Sequence, residues 1–333
     1  MINKYLPALA GPAPLPRFVR LTALAVGLLS GCSKADNEPP VPVAVVPAKI
    51  TVPLAVLSPE GVQYDDANKR FIVSSRTKGF LGTVRDDSTF AFLGDDVRLV
   101  STIGLNLDAG RGRVLAAVSD LGTNTSRSTA TTLRKLAALA IFNPASGALI
   151  RYVDLGGLRP IANHFANDIA VDKDGNAYIT DSMAPIIYKV DLQGTASVFL
   201  ENALLSGGTG FGLNGIVYHP DGYLLTAKTS DGTLFKVPIS NPSGFTTVAK
   251  TQNLTGADGL LLFDPQTLLV VSGSQGNVYR MASTDAWSTT NTTGTFATGA
   301  VSATTITKRG SDAYVLYPYS ATALRFAIVK ATF

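Results

Sequence analysis

The chain of 333 residues has few cysteines and few charges. It contains one cysteine, which excludes an intramolecular disulfide, so burial of apolar side chains has to supply the stability. Charged residues make up 16% of the sequence, a low share for a solvated helical protein, whereas 46% is hydrophobic and suffices for a large core. After residue 50 the composition is dominated by Val, Thr, Leu, Ile, Tyr and Gly, which favours strands and turns.

The chain also lacks an excess of positive charge beyond its first residues. The formal net charge of +4 depends on Lys4, Arg17 and Arg20, which lie where there is no Asp or Glu. Once these three are set aside, 25 basic residues face 24 acidic ones. Without a cluster of Lys and Arg, nothing in the charge distribution favours nucleic acid as a partner, and we predict none.

The N-terminus has the pattern of a targeting segment. Basic residues up to Arg20 precede the apolar run LTALAVGLL, which is too short for a permanent membrane span and is followed by small residues. The sequence LSGC, ending at Cys32, resembles a bacterial lipobox, in which the cysteine is lipidated and becomes the new N-terminus. The alternatives are an ordinary signal peptide or a lone buried cysteine. Ser33, rather than Asp, after the cysteine favours the outer membrane in a cell that has one.

These features predict three segments. Residues 1–31 are a lipoprotein signal peptide, residues 32–50 are a Pro-rich tether, and residues 51–333 are the folded domain. The predicted location is therefore the cell envelope, with the domain held to a membrane through the lipid on Cys32.

The folded part repeats one template at intervals of about 45 residues, a period typical of propellers and solenoids. In each copy a polar residue precedes an apolar run, a turn and a second apolar run. The clearest copies are EGVQYDDANKRFIVSS from Glu60, NDIAVDKDGNAYITDS from Asn167, NGIVYHPDGYLLTAK from Asn214 and DGLLLFDPQTLLVVSG from Asp258. Weaker copies are GLNLDAGRGRVLAAVSD from Gly104 and TTITKRGSDAYVLYPYS from Thr304.

The repeats predict an all-β fold. Turns such as KDGN and HPDG between two apolar runs are hairpin signals, and further β-rich runs follow each hairpin. Four strands in each of six copies, without helical periodicity, predict a six-bladed β-propeller with four-stranded antiparallel blades. The alternatives are an irregular β-sandwich and a parallel β-helix, although the repeat is longer than a β-helix coil requires.

Aligning the copies on their turns places six residues in one column: Glu60, Ile103, Asn167, Asn214, Asp258 and Ala303. Innermost propeller strands begin around a central channel, so four oxygen-bearing side chains are predicted to converge at one face. Such hard oxygen ligands suit Ca²⁺ or Mg²⁺, and flexible coordination favours calcium. Asn167 or Asn214 alone is more typical of a turn than of a ligand, and Asp258 before Gly259 is equally ordinary, so only the shared column favours a metal site.

The copies from Glu60, Asn167 and Asn214, together with GADGLLLF, resemble the regucalcin/gluconolactonase superfamily, which is related to paraoxonases and strictosidine synthases. The resemblance covers most of residues 55–280. Within this superfamily, the copies are most similar to the calcium-dependent phosphotriesterase-like group. It implies that Glu60, Asn167, Asn214 and Asp258 hold one catalytic calcium, with Asp258 acting as base or orienting the nucleophile.

A calcium-dependent hydrolase of a lactone, ester or phosphotriester is therefore the predicted function, with a small-molecule substrate. His164 is a candidate second acid/base group, although a satisfied loop histidine fits the sequence equally well. The alternative is a non-hydrolytic propeller, either a binding module with structural calcium or a related enzyme of another class. Two Gly- and Ser/Thr-rich insertions, residues 121–135 and 201–213, are expected over the channel mouth as a lid or as decoration.

Overall fold

The computed structural model describes residues 46–320 and 322–333 of the protein. Within these ranges 25 strands form six sheets, and the only helices are five 3₁₀ helices of three residues each. None of these short helices has the length and apolar character needed to cross a bilayer. The predicted signal peptide, the lipidation site Cys32 and the tether up to residue 45 lie outside the described residues and stay predictions.

The first three sheets each contain four strands that follow one another along the chain. A separate strand, β1 (Lys49–Val52), precedes them. Blade 1 comprises β2 (Val62–Asp65), β3 (Arg70–Val73), β4 (Leu81–Val84) and β5 (Phe90–Gly94). Blade 2 comprises β6 (Ser101–Asp108), β7 (Arg113–Ser119), β8 (Ala137–Phe142) and β9 (Leu149–Asp154). Blade 3 comprises β10 (Ala166–Val171), β11 (Ala177–Asp181), β12 (Ile186–Val190) and β13 (Ala196–Glu201).

The next two sheets keep this plan with changes at their outer edges. Blade 4 comprises β14 (Leu213–His219), β15 (Tyr223–Lys228), β16 (Leu234–Pro238) and the short β17 (Thr246–Thr247). Blade 5 gains a parallel outer strand, β18 (Ala249–Lys250), beside β19 (Ala257–Asp264), β20 (Thr267–Ser272), β21 (Asn277–Ala282) and β22 (Thr289–Ala297). The 3₁₀ helices span Ala109–Arg111, Gly156–Leu158, Ala203–Leu205, Pro242–Gly244 and Gly273–Gln275.

The sixth sheet joins the two ends of the domain. Its inner strands are β23 (Ile306–Arg309), β24 (Asp312–Tyr317) and β25 (Phe326–Ala331), and its outer strand is β1. β1 pairs antiparallel with β25, Ile50 opposite Ile328 and Val52 opposite Phe326. β1 begins at Lys49, two residues before the predicted domain start at Thr51, and it belongs to the propeller.

The inner strands form a closed ring. β2, β6, β10, β14, β19 and β23 contact one another in that cyclic order, and β23 contacts β2 again. Hydroxyl groups bridge the last junction: Thr304 Oγ1 donates to the Glu60 carbonyl at 3.0 Å, and the Tyr64 amide donates to Thr307 Oγ1 at 3.1 Å. The fold is the predicted six-bladed β-propeller, and the inner strands surround its central channel.

The core is divided into one apolar cluster at each junction between neighbouring blades. Strands that are apolar on both faces pack against the blades on either side, which explains their continuous apolar runs. Large buried members represent the six clusters: Phe71, Phe142, Tyr188, Phe235, Trp287 and Val315.

Candidate metal centre at the mouth of the central channel

The four predicted ligands lie in one cavity at the start of the inner strands. Glu60, Asn167, Asn214 and Asp258 all line this cavity, which has a volume of about 380 Å³. Ile103, the apolar member of the predicted column, is buried and does not line the cavity. The structure thus brings together the oxygen-bearing side chains that the repeats placed in register.

The last predicted member of the column is wrong by one residue. In the blades that contain the ligands, the column residue stands two positions before a regular strand pair, such as Ile169 with Ile179 or Leu260 with Val270. In blade 6 the corresponding pair is Ile306 with Val315, which places Thr304 rather than Ala303 in the column. The copy starting at Thr304 has no Asn-Gly or Asp-Gly step, and so its sequence did not define the register.

Buried hydroxyl groups of neighbouring strands hold the ligand backbone in place. Ser74 Oγ accepts hydrogen bonds from the amides of Glu60 at 3.1 Å and Gly61 at 2.7 Å. Thr180 Oγ1 donates to the Asn214 carbonyl at 2.6 Å, and Thr229 Oγ1 donates to the Ala257 carbonyl at 2.9 Å. The column residues are therefore fixed by the β-framework rather than by flexible loops.

Hydroxyl groups also orient the two carboxamides. Asn167 Nδ2 donates to Ser182 Oγ at 2.8 Å, and Asn214 Nδ2 donates to Thr229 Oγ1 at 3.2 Å. Because each amide nitrogen is engaged in this way, the carbonyl oxygen of each amide is the atom left for a ligand in the cavity.

The carboxylates of Glu60 and Asp258 share the cavity with one cationic side chain, that of Arg76. Burial raises the pKa of Glu60, and the nearby Arg76 guanidinium partly opposes this rise. The pKa of Asp258 lies well above its usual range because of burial and the negative charges of Glu60 and Asp168, with Arg76 and Asn214 opposing the rise. Both pKa shifts indicate that the protein alone does not balance the negative charge of two ionised carboxylates in this cavity.

Asp168 adds a third carboxylate, which was not anticipated. It follows the column residue, where four other blades carry glycine, and lines a separate cavity of about 210 Å³ with the inner strands. Its oxygens accept hydrogen bonds from the amides of Ile169 at 2.9 Å and Ile216 at 3.3 Å. Burial raises the pKa of Asp168 to about 7, although these hydrogen bonds lower it, and the Glu60 charge adds to the rise.

The donor set fits a hard divalent cation. The described residues contain no group of three or more His, Cys, Asp or Glu side chains that could hold a metal, so an ion at this mouth depends on two carboxylates and two amides. Glu60 Oε2 is buried without a hydrogen-bond partner among the described residues. An oxygen left in this way, beside carboxylates that repel one another, suits a dication with oxygen ligands.

The structure places His164 outside the cavity of the candidate metal centre. This side chain is 1% exposed and does not line the cavity that contains the four oxygen ligands. Its Nδ1 lies 2.8 Å from Asp181 Oδ2, and its Nε2 lies 2.8 Å from the Arg159 carbonyl oxygen. With both ring nitrogens facing acceptors, the histidine holds the loop before β10 in place and has no nitrogen free for a substrate.

This buried pair predicts a pH-dependent stability. Burial lowers the pKa of His164, but the hydrogen bonds to Asp181 and Arg159 outweigh it, so the net shift is upward from 6.5. The stabilisation is then complete below about pH 6.5 and is lost as the pH rises through the pKa of the folded state. We expect the difference in unfolding free energy between wild type and His164→Gln, measured by urea denaturation, to shrink as the pH is raised.

Tyr188→Phe is the matched control for this series. The Tyr188 hydroxyl donates to Asp181 Oδ2 at 3.1 Å and also lies 3.0 Å from His164 Nδ1, so its removal changes the surroundings of the pair but keeps both ionisable partners. This variant should keep the direction of the wild-type pH dependence. A stability difference for His164→Gln that stays constant or grows with pH would contradict the charged pair.

Apolar side chains from the two insertions form part of the cavity wall. Leu121 is the first residue of the first insertion, and Phe211 lies in the second insertion. Both side chains line the cavity together with Phe165. The Phe165 and Phe211 rings lie 5.6 Å apart between centroids. A hydrogen bond fixes the first insertion to the neighbouring chain: Asn124 Nδ2 donates to the Val100 carbonyl at 2.6 Å. Both segments thus contribute to the wall over the predicted metal face.

The sequence did not predict Arg76 and Thr304 in the cavity wall, or Asp168 beside it. Arg76 lies in the loop after β3, where the repeat template has no defined residue. Thr304 was missed because the weak sixth copy did not define the register of its column. Asp168 had a visible signal, because the Asn167 copy continues with Asp where the Glu60, Asn214 and Asp258 copies continue with Gly.

No family model matches the chain, and no curated protein matches it either. Solved structures do share its fold. The Malassezia sympodialis allergen Mala s 1 is 18% identical, with a TM-score of 0.70 over 86% of this chain and 97% of the allergen. A Xanthomonas campestris gluconolactonase is 15% identical, with a TM-score of 0.57 over 84% and 89%. A calcium-binding regucalcin of Agrobacterium tumefaciens is 16% identical, with a TM-score of 0.57 over 86% and 95%.

These likenesses confirm the fold. The resemblance seen in the repeats is confirmed to the extent that gluconolactonase and regucalcin have the same six-bladed architecture. Identities below 20% leave the chemistry to be argued from the cavity itself.

Proposed function

We propose that the protein is a calcium-dependent hydrolase that acts on a lactone, ester or phosphotriester in the cavity at the channel mouth. The observation that carries this proposal is the convergence of Glu60, Asn167, Asn214 and Asp258 on one cavity of about 380 Å³. A gluconolactonase and a calcium-binding regucalcin among the similar structures support it.

Glu60, Asn167, Asn214 and Asp258 would hold the ion. When bound, calcium supplies a Lewis acid that polarises a carbonyl or phosphoryl oxygen and lowers the pKa of bound water. The two carboxylates match its charge, and the amides add neutral oxygen ligands, a combination that favours calcium over softer metals.

Asp258 is the residue proposed to accept a proton. Asp258 lines the cavity together with Asn214, whose side chain opposes the rise in the pKa of Asp258, and Thr180 Oγ1 holds the Asn214 backbone carbonyl at 2.6 Å. Leu121, Phe165 and Phe211 line the same cavity and would bind the apolar part of the substrate and limit access of bulk water.

A panel of lactones, aryl esters and phosphotriesters tests the proposal. We expect turnover of at least one member with calcium, loss of that turnover with EDTA, and a decrease of about 100-fold or more in kcat for Asp258→Asn, the size typical of removing a general base. Asp231→Asn is the control, because Asp231 pairs with Lys228 at 3.0 Å on the same face but does not line the cavity.

Two results would contradict the proposal in different ways. Calcium binding without turnover of any panel member would favour a non-hydrolytic propeller whose ion is structural. Turnover that persists in EDTA would remove the metal from the reaction.

A further inference from the structure

Arg76 is the one cationic side chain among the described residues that line the candidate site. The cavity wall otherwise contains two charged groups, the carboxylates of Glu60 and Asp258. The guanidinium is not buried, since 31% of the Arg76 side chain is exposed. It can therefore meet a molecule that enters the cavity.

Ser58 fixes the orientation of this guanidinium. Arg76 Nε lies 3.1 Å and Nη2 lies 2.7 Å from Ser58 Oγ, so one edge of the group is engaged by a single acceptor. Nη1 extends toward Glu60 Oε2 and lies 3.4 Å from it. That contact is longer than the usual distance of a charge-assisted hydrogen bond, so Nη1 retains donor capacity toward the cavity.

The charge balance of the cavity indicates which kind of group the Nη1 donor of Arg76 would bind. Without a metal, two carboxylates and one guanidinium leave a net charge of −1. A bound dication changes this to +1, and it also places a second cation close to Arg76. Two neighbouring cations in a partly buried site repel each other unless an anion joins them.

We infer that Arg76 binds an anionic group of the substrate, so that the natural substrate is a lactone or ester that also carries a carboxylate. The inference rests on the proposed function and specifies its substrate class. The guanidinium holds the carboxylate at the cavity wall through charge-assisted hydrogen bonds. The apolar part of the substrate packs on Phe165 and Phe211, which line the same cavity.

Binding of a matched pair of small molecules tests the anion site without requiring turnover. Phenylacetate and its neutral analogue phenylacetamide are titrated calorimetrically into the full calcium-loaded protein. We expect the anion to bind at least about tenfold more tightly than the amide, as a hydrogen bond to a charged group implies. Arg76→Gln should abolish this preference, and Arg76→Lys should restore part of it.

Arg98→Gln is the matched control. Arg98 lies on the same face, is exposed and pairs with the half-buried Asp96 at 2.7 Å, but it does not line the cavity. This variant should keep the wild-type preference for phenylacetate. A preference for the anion that persists in Arg76→Gln would overturn the assignment, as would equal binding, or no binding, of the two compounds to the wild type.

A change in calcium affinity distinguishes an anion-binding role of Arg76 from a merely structural role. Arg76→Gln removes the guanidinium that faces Glu60, so calcium should bind more tightly while phenylacetate binds more weakly. A variant with a damaged cavity would lose affinity for both, and that result would contradict the inference.

Failure of the hydrolase proposal gives a different pattern. An anion preference that depends on Arg76, combined with no turnover of any ester or lactone, would leave the anion site standing and remove the hydrolytic reaction. Turnover of neutral esters that equals turnover of their carboxylate analogues would remove the anion site and leave the hydrolase.

Discussion

Glu60→Gln and Asp258→Asn should each weaken calcium binding by about two orders of magnitude, because the charge of the ligand set is a main determinant of calcium affinity. Each substitution keeps the size of the side chain but removes one of the two negative charges that line the cavity. Titration with calcium by isothermal calorimetry, at fixed ionic strength and pH, measures the effect directly.

The stability of the same variants separates loss of the ion from loss of the fold. Burial raises the pKa of both Glu60 and Asp258, and the negative charge of Glu60 adds to the rise at Asp258, so removing one charge should leave the metal-free protein at least as stable as the wild type. The rise in melting temperature with added calcium should disappear in both variants. Unchanged calcium affinity in both would contradict the ligand assignment, and Asp231→Asn again serves as the control.

The second large effect is expected where the propeller closes. Ile50 and Val52 of β1 are each 1% exposed, and they pack in the cluster that contains Phe71 and Phe326. Replacing both with alanine should lower the free energy of unfolding by about 5 kcal/mol, given the cost of emptying two buried aliphatic positions. Urea denaturation at equilibrium measures this loss.

The alternating residues of the same strand provide the control. Lys49 is exposed and Thr51 is half-buried, and their backbones pair with β25 in the same way. Alanine at these two positions should change stability by no more than about 1 kcal/mol. Equal effects of the two double substitutions would show that β1 contributes hydrogen bonds but little apolar packing to the closure.

The blade architecture was predictable because local and long-range signals agree in most copies. Turns with Asp-Gly or Gly-Asn steps mark the hairpins, and apolar runs buried on both faces mark the inner strands. β1 was missed because its pairing with β25 joins residues that lie almost the whole domain apart. No local pattern records such a contact, and the neighbouring prolines favoured a tether.

The candidate site was predictable where the repeat determines position. Asn167, Asn214 and Asp258 each stand before a regular hairpin, so their register could be counted from the turn. His164 could not be placed in that way. Its partners, Asp181 and the Arg159 carbonyl, come from a neighbouring strand and a loop. Arg76 likewise depends on the conformation of a loop, and only the folded chain shows that it faces Glu60.

We propose that one divalent ion binds at the start of the inner strands through four side chains from four different blades. The most direct test of this proposal is an X-ray structure of the protein from crystals grown with calcium, with data collected at a wavelength where calcium scatters anomalously. We expect one strong anomalous peak in the cavity, at ligand distance from Glu60, Asn167, Asn214 and Asp258. A calcium-soaked crystal with no peak there, or with its strongest peak away from these residues, would contradict it.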